Sequence, residues 1–426
     1  AIEYARLNPR IDTVSVFLGI DFGTSGARAC VIAGDKTVCW EQRVSFADAV
    51  NQTPQHWREA LEFLLAALPP ALARNLHGIA LDGTSGTVLL CDAQLAPVSP
   101  ALLYHDTRAE LEAAQLKILA PKNNIVCSAN SGLAKFLWLT QRYPDAQHFL
   151  HQADWLTAQL TGVVSSDYHN ALKTGYDVAN LCWPTWLLAL PNAHRLPKVL
   201  APGALIARIA PNVAARFGIT PACKIYAGTT DSIAAFMASE VTETNVGVTS
   251  LGTTLVLKQL SRARIEASEY GIYSHRYGKL WLVGGASNAG AGVLKNYFSD
   301  TELATLSAQI DAQKTSPLDY YPLPKTGERF PTNDVNLAPR LSPRPDDDAE
   351  FLHGILQGLA RIEADGYAKL NQLGAGKISR IVSCGGGAKN LVWQAIRARH
   401  GELAVSVATH SEAAYGAALL AQKSAA

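Results

Sequence analysis

Two short segments of this chain join a strand-like run to a turn of glycine and hydroxyl residues, the composition from which phosphate cradles are built. In the first, an apolar run over residues 16–21 ends in Asp21 and is followed by Gly23-Thr24-Ser25-Gly26. Glycine lets the backbone turn tightly and approach a ligand closely, and successive N–H groups with two hydroxyls form an anion cradle. An aspartate at the edge would repel a phosphate unless a cation lies between them. Mg²⁺, which takes carboxylate and water oxygens and bridges phosphates, is the natural choice. The second turn, Gly252-Thr253-Thr254, has no carboxylate. Each alone could be a plain hairpin turn; together they suit a polyphosphate held between two domains.

Asp231 stands at a strand-to-helix turn in Gly228-Thr229-Thr230-Asp231. It either caps the helix that follows or acts as a general base that takes a hydroxyl proton during phosphoryl transfer. Gly385-Gly386-Gly387 follows a strand and opens a helix carrying Asn390 and Trp393. These glycines would let a flat group lie on the backbone, with Asn390 and Trp393 near an adenine edge or face; plain core is the alternative for Trp393. The run does not fit G-x-G-x-x-G, and no G-x-x-x-x-G-K-[ST] occurs, so neither a Rossmann nor a P-loop site is expected. Gly284-Gly285-Ala286-Ser287-Asn288, with Gly290, is either a close-approach turn or a hinge.

The elements that must hold these residues read as α/β. Strands are expected over residues 16–21, 27–33 and 37–44, then a helix opened by Thr53-Pro54, then a strand over 78–82. Residues 106–200 look more helical, with Trp138, Trp155, Trp183 and Trp186 as core. A strand at 225–228 and a helix at 232–239 precede a second meander, 245–251 and 255–260. Residues 317–346 hold seven of the 21 prolines and read as a surface loop. A helix over 349–373, two strands and two helices complete the chain. The meanders "GIDFGTSGARACVI" and "VTSLGTTLVLKQL" share one pattern, so a duplicated α/β domain is expected. The divisions are 1–15 (an extension), 16–238, 239–411, and a last helix, 412–426, packing back on the first domain.

The 426 residues are 48% hydrophobic and 17% charged, with a formal net charge of +1. Global disorder is excluded. No basic surplus exists to hold a phosphate backbone, so no nucleic-acid partner is expected. No run of 18 apolar residues occurs, so no membrane-spanning helix is expected. The seven cysteines are scattered, without a C-x-x-C, which argues against zinc and against a disulfide scaffold. Cys30 and Cys39 flank Gly34-Asp35, and a two-residue hairpin there would set them opposite each other, within disulfide reach. The start at Ala1 reads as a processed or shortened chain.

"LGIDFGTSGARA", "AGTTDSIAAF", "SLGTTLVL", "GGASNAGAGVL" and "CGGGAKNLVWQ", in that order, resemble the FGGY carbohydrate kinases over about residues 16–422. That resemblance implies two ribonuclease H-like domains of the actin/Hsp70/hexokinase type with a cleft between them. "DGTSGTVLLCD", "SDYHNALKTGYD" and "GERFP" are most similar to plant and cyanobacterial sugar kinases acting on D-ribulose. The resemblance assigns Asp21 and Asp231 to Mg²⁺ and substrate, with Asp231 as the base. It assigns Gly23, Thr24 and Ser25 to the γ-phosphate, Gly252 and Thr253 to the phosphates, and Gly386, Gly387 and Asn390 to the adenosine, beside Trp393. Thr84 and Ser85 would meet the sugar, with Asp106 and Arg108 after Tyr104, where the family often has tryptophan.

The implied activity is ATP- and Mg²⁺-dependent phosphorylation of D-ribulose to its 5-phosphate. D-Xylulose or a pentitol is the alternative acceptor. A catalytically weak sugar- and nucleotide-binding sensor is the alternative of another class, and an Hsp70-like ATPase module a further one. Transfer in a closed cleft requires a hinge, expected near residues 238–246. The partners are a small sugar and ATP, the oligomeric state is open, and the resemblance to plant forms implies the chloroplast stroma, with the cytoplasm as alternative.

Overall fold

The computed structural model describes residues 15–425, so the expected N-terminal extension lies, but for its last residue, outside the described residues. The chain forms two compact units: residues up to 238 together with Glu412 onward, and Ser239–Ser411. In the first unit, Val16–Phe22 is buried along its whole length, as a central strand covered on both faces must be. It pairs antiparallel with Gly26–Ala33 and parallel with Leu76–Gly83. Val38–Ser45 lies outside Gly26–Ala33, and Lys224–Tyr226 runs parallel to Leu76–Gly83 on the other side, followed by Leu205–Arg208 at the edge.

One face of this sheet packs Leu18 and Ile20 against Trp57, Leu61 and Leu64. Those three lie on the helix Pro54–Ala66, where the Thr53 hydroxyl accepts from the His56 N–H and Pro54 fills the first turn. The other face packs Phe17 and Ala80 against Ala414, Ala418 and Leu419 of the helix Ala413–Ala425. That helix lies so close that a Cβ on Gly19 would stand 2.0 Å from the Ala414 carbonyl oxygen. A Cβ on Gly416 would stand 1.8 Å from the carbonyl of Ala234, on the helix Asp231–Ala238.

The second unit repeats the plan. Val246–Leu251 pairs antiparallel with Leu255–Ser261 and parallel with Arg380–Cys384; Leu280–Ser287 and Ala404–Val407 lie beyond these. Order and direction of these five strands match the first five named in the first unit, which is the topological mark of duplication; the edge strands Leu205–Arg208 and His275–Tyr277 have no counterpart. The helix Asp348–Gln372, capped by Asp347, supplies Leu352, Ile355 and Leu359 to its core.

Two expectations are corrected. The proline-rich segment 317–346 is not merely surface: Tyr320, Leu323 and Phe330 are buried in the core of the second unit. Cys30 and Cys39 do not face each other. A register shift between Val31 and Ile32 leaves Cys30 opposite Glu41, and Val31 and Ile32 opposite Trp40 and Val38, so Cys39 bulges. The turn is longer than two residues, with the Ala33 N–H reaching the Thr37 carbonyl and Lys36 at φ 70°. All seven cysteines are free, and among the described residues no helix is long and apolar enough to cross a membrane.

Candidate active site

In the first unit the parallel pair places Asp21 and Asp82 as direct Cα partners. Thr229 stands opposite Asp82 on its other side. The chain reaches that register because Gly228 lies against the neighbouring strand, where a Cβ would stand 2.0 Å from the Leu81 carbonyl oxygen. Asp231 follows, as the first residue of its helix, with its carboxylate accepting from the Ser232 N–H at 2.7 Å. Asp82 was not singled out from the sequence. The local signal is present, since Gly83-Thr84-Ser85-Gly86 follows Asp82 as Gly23-Thr24-Ser25-Gly26 follows Asp21 and Phe22; long-range strand pairing then sets the two aspartates side by side.

Asp21 Oδ1 and both Asp82 carboxylate oxygens are buried, and among the described residues only the facing carboxyl, when one of the pair is protonated, is a hydrogen-bond partner for them. Burial pushes the Asp21 carboxyl up, offset in part by Asp82 and Arg28. Burial pushes Asp82 well above the ordinary carboxylate range, and the nearby Asp21 and Asp231 charges push it further. Unpartnered carboxylate oxygens of this kind fit a hydrated divalent cation, since Mg²⁺ is held through one or two carboxylates, water and phosphate oxygens. Among the described residues no three His, Cys, Asp or Glu side chains are placed as an all-protein metal cage.

The Gly23–Gly26 turn sits directly after Asp21. The Gly23 N–H donates to the Gly26 carbonyl at 3.0 Å, and the carbonyls of Thr24 and Ser25 accept from Gln52 and from the Phe46 N–H. Thr24 and Ser25 are exposed.

The expected sugar residues divide. The Thr84 hydroxyl is already engaged, with Thr87 at 2.6 Å and with Gln152 Oε1 at 3.0 Å. The Ser85 hydroxyl oxygen is buried and has no partner, so Ser85 is the one that offers itself to a ligand. Gln152 Nε2 and Asn170 Oδ1 are likewise buried and unpaired. Asn170 donates to Asp167 and to the Thr229 carbonyl, while His169 Nδ1 lies 2.7 Å from the Thr229 hydroxyl. Thus "SDYHNALKTGYD" props the strand end that leads to Asp231. Arg108 pairs with Asp106 through Nε at 3.0 Å to each oxygen, and Tyr104 is exposed.

The second unit holds a cavity of about 840 Å³ lined by Gly252, Thr253, Gly386, Gly387, Asn390 and Trp393, among others. A Cβ on Gly386 would meet nothing, so that edge is open. Asn390 caps the helix Leu391–Gly401, accepting from the Trp393 N–H at 3.0 Å and donating to the Ser307 hydroxyl at 2.8 Å. Trp393 is fully buried, with its ring edge under Gly387, where a Cβ would stand 2.5 Å from it. It backs the cavity wall as core. Gly290 and Gly292 pack on the Thr253 backbone, so the small-residue turn supports the second Gly–Thr turn.

The model of the FGGY family of carbohydrate kinases, N-terminal domain, matches residues 16–238, and that of its C-terminal domain matches 247–425. A xylulose kinase of Staphylococcus xylosus is 26% identical, over 95% of this chain and 90% of that protein. A xylulose kinase of Escherichia coli is 24% identical, over 96% and 90%. Among solved structures, a xyloylose kinase from Brucella ovis superposes with TM-score 0.82 at 23% identity, covering 96% and 90% of the two chains. A gluconate kinase from Lactobacillus acidophilus gives 0.80 at 17%, covering 97% and 89%. The fold is the two-domain α/β kinase fold with ribonuclease H-like domains. Neighbours named for xylulose and for gluconate share it equally, so the fold does not choose the sugar.

Proposed function

The chain belongs to the FGGY family of carbohydrate kinases, and on that premise we propose that it transfers the γ-phosphate of ATP to a hydroxyl of a ketopentose, D-ribulose. The observation that carries this reading is the carboxylate group of the first unit. Asp21, Asp82 and Asp231 converge at a strand end, and the buried Asp21 Oδ1 and the two Asp82 oxygens have no partner among the described residues beyond the facing carboxyl.

Asp231 accepts the proton of the attacking sugar hydroxyl as the new P–O bond forms and the bond to ADP breaks. Its place at the first helical residue holds the carboxylate in one orientation. Ser85 bonds the sugar through its unpaired hydroxyl and fixes which hydroxyl meets Asp231. The Gly23–Ser25 turn holds the transferred phosphoryl group with the N–H groups and exposed hydroxyls of Thr24 and Ser25, while the Gly23 N–H closes the turn on the Gly26 carbonyl. The Gly252-Thr253 turn and the glycines at 386 and 387 hold the nucleotide in the second unit, with Asn390 and Trp393 shaping its wall. Asp21 and Asp82 would hold Mg²⁺, near Asp231; when bound, the cation neutralises charge that develops on the phosphoryl oxygens.

D-Ribulose is supported by the three segments that resemble D-ribulose kinases. D-Xylulose is the second reading, supported by relatives named xylulose kinase. Coupled ADP release with ATP and Mg²⁺ across D-ribulose, D-xylulose, ribitol, gluconate, glycerol and no sugar decides. Release with D-ribulose above all others is the expected result, and release with D-xylulose instead transfers the assignment to it. Release indifferent to every sugar would overturn the kinase reading in favour of an ATPase or sensor.

A further inference from the structure

One buried charge in the first unit has no part in the chemistry above. Lys135 lies on the helix Gly132–Arg142 between Leu133, Ala134, Phe136 and Leu137, all buried, and is itself fully buried. A lysine there is unfavourable unless its ammonium is well bonded. Its Nζ donates to two carbonyls far apart in sequence: Gly86 at 2.8 Å and Leu103 at 2.6 Å. Both carbonyls belong to turns. Gly86, at φ 81°, directly follows Ser85, the residue with the unpaired hydroxyl. The Leu103 carbonyl also accepts from the Asp106 N–H at 2.9 Å, closing the turn that presents Asp106 and Arg108. The same helix touches that turn again one turn on, where the Arg108 guanidinium lies 5.3 Å from the Trp138 ring centroid.

We propose that Lys135 is a positioning residue of the sugar site, whose ammonium ties the Ser85 turn to the Asp106–Arg108 turn so that both face one polyhydroxylated substrate. This rests on the kinase reading above and adds a residue to it. A lysine that only held the fold together would need neither of these turns; any backbone carbonyl of the helical region would serve. Here both ammonium hydrogen bonds found among the described residues go to the two loops that carry the candidate sugar contacts. The ammonium is also exposed to the charges of those loops. Asp106 favours its charged form, while burial, Lys173 and Arg108 disfavour it and bring it down to about 7.

The test is steady-state kinetics of Lys135→Met against wild type, with D-ribulose and D-xylulose as acceptors and ATP varied separately. Loosening the two turns raises KM for the sugar at least about tenfold, the scale of a misplaced contact, and lowers kcat as the hydroxyl is less well aimed, while KM for ATP is nearly unchanged. A sugar KM equal to wild type, or sugar and ATP constants that worsen together, would overturn the proposal and leave the kinase reading standing. Wild type without sugar-dependent ADP release would instead remove the reading on which it rests. If Lys135→Met fails to fold, the wild-type pH profile decides. Above pH 7 the amine loses its charge and its bonds to the two carbonyls weaken, so the sugar KM rises from pH 6 to 9 while KM for ATP does not follow. A flat sugar KM over that range overturns the proposal.

Discussion

Asp231 and Asp82 lie in the same small region and carry opposite expectations. Asp231 is at the start of a helix and partly accessible. Asp231→Asn keeps its shape and removes only the proton acceptor, so sugar phosphorylation falls by at least about 10²-fold. ATP binding, followed by calorimetry, is retained; near-normal turnover would contradict the assignment. Asp82 is buried beside other carboxylates, and burial with the nearby Asp21 and Asp231 charges raises its carboxyl well above the ordinary carboxylate range in the metal-free fold, a shift that unfolding removes. The folded state then binds more protons than the unfolded one, so stability falls as pH rises above the ordinary carboxylate range. Asp82→Asn reduces that slope, to which the raised Asp21 also contributes, and raises the Tm of the metal-free protein at pH 7 by a few degrees, about 2–4 °C for each kcal/mol gained. It also weakens Mn²⁺ binding measured by electron paramagnetic resonance. A lower Tm with unchanged Mn²⁺ binding would show that Asp82 is only a structural acid. Asp231 was legible because its turn is a local pattern. Lys135 was not, because burial gives it its meaning; Asp82 was passed over although the Gly-Thr-Ser-Gly turn that marks Asp21 follows it too.

Among the elements, the helix Ala413–Ala425 couples both carboxylate carriers. Gly19 precedes Asp21 by two residues on its strand, and Ala234 follows Asp231 by three on its helix; both press on this one helix. Gly416→Ala pushes the helix Asp231–Ala238 outward. Overpacking of this kind costs about 1–3 kcal/mol, and calorimetry should find at least that loss, together with a fall in kcat although residue 416 touches no substrate. Stability and kcat equal to wild type would show that the helix shifts freely.

In the second unit, Arg397 donates to both Glu363 oxygens and to Ser383, with both charges buried. Glu363 also accepts from Thr249, whose strand leads into the Gly252 turn. Arg397→Met strands a buried carboxylate, a loss of about 3–5 kcal/mol, and ADP affinity declines with it; a calorimetric loss below 1 kcal/mol would contradict this. The strand–turn–strand units were legible because Gly–Thr turns and apolar runs act locally. The Cys30–Cys39 pairing was misread because a bulge changes register without a mark in the sequence.

At the scale of the whole molecule, the buried clusters of each unit draw on that unit alone. The candidate sugar residues fall in one unit and the nucleotide cavity in the other. Hydrogen exchange therefore separates the ligands: ADP slows amides around 251–253 and 386–393, and the ketopentose slows those around 82–86 and 103–108. At about a hundredfold excess over Kd each ligand adds about 2.7 kcal/mol to the unit that binds it. Protection of both units by ADP alone would refute this division. The duplication was legible from two similar meanders, whereas the core role of residues 317–346 was hidden behind their prolines.

The discontinuity of the first unit has a consequence for how the protein comes into being. Both carboxylate-bearing strands and the Asp231 helix leave the ribosome early, yet the helix that covers Gly19 and wedges against Ala234 emerges only after all of residues 239–411. Until then the apolar face around Phe17, Ala80 and Tyr226 lacks Ala414, Ala418 and Leu419 and has only the Met237–Ala238 end of the Asp231 helix against it. The continuous second unit can mature first on the nascent chain, while the earlier-made half stays incomplete, and translation stalled before residue 413 yields a polypeptide with its chemistry encoded but not assembled.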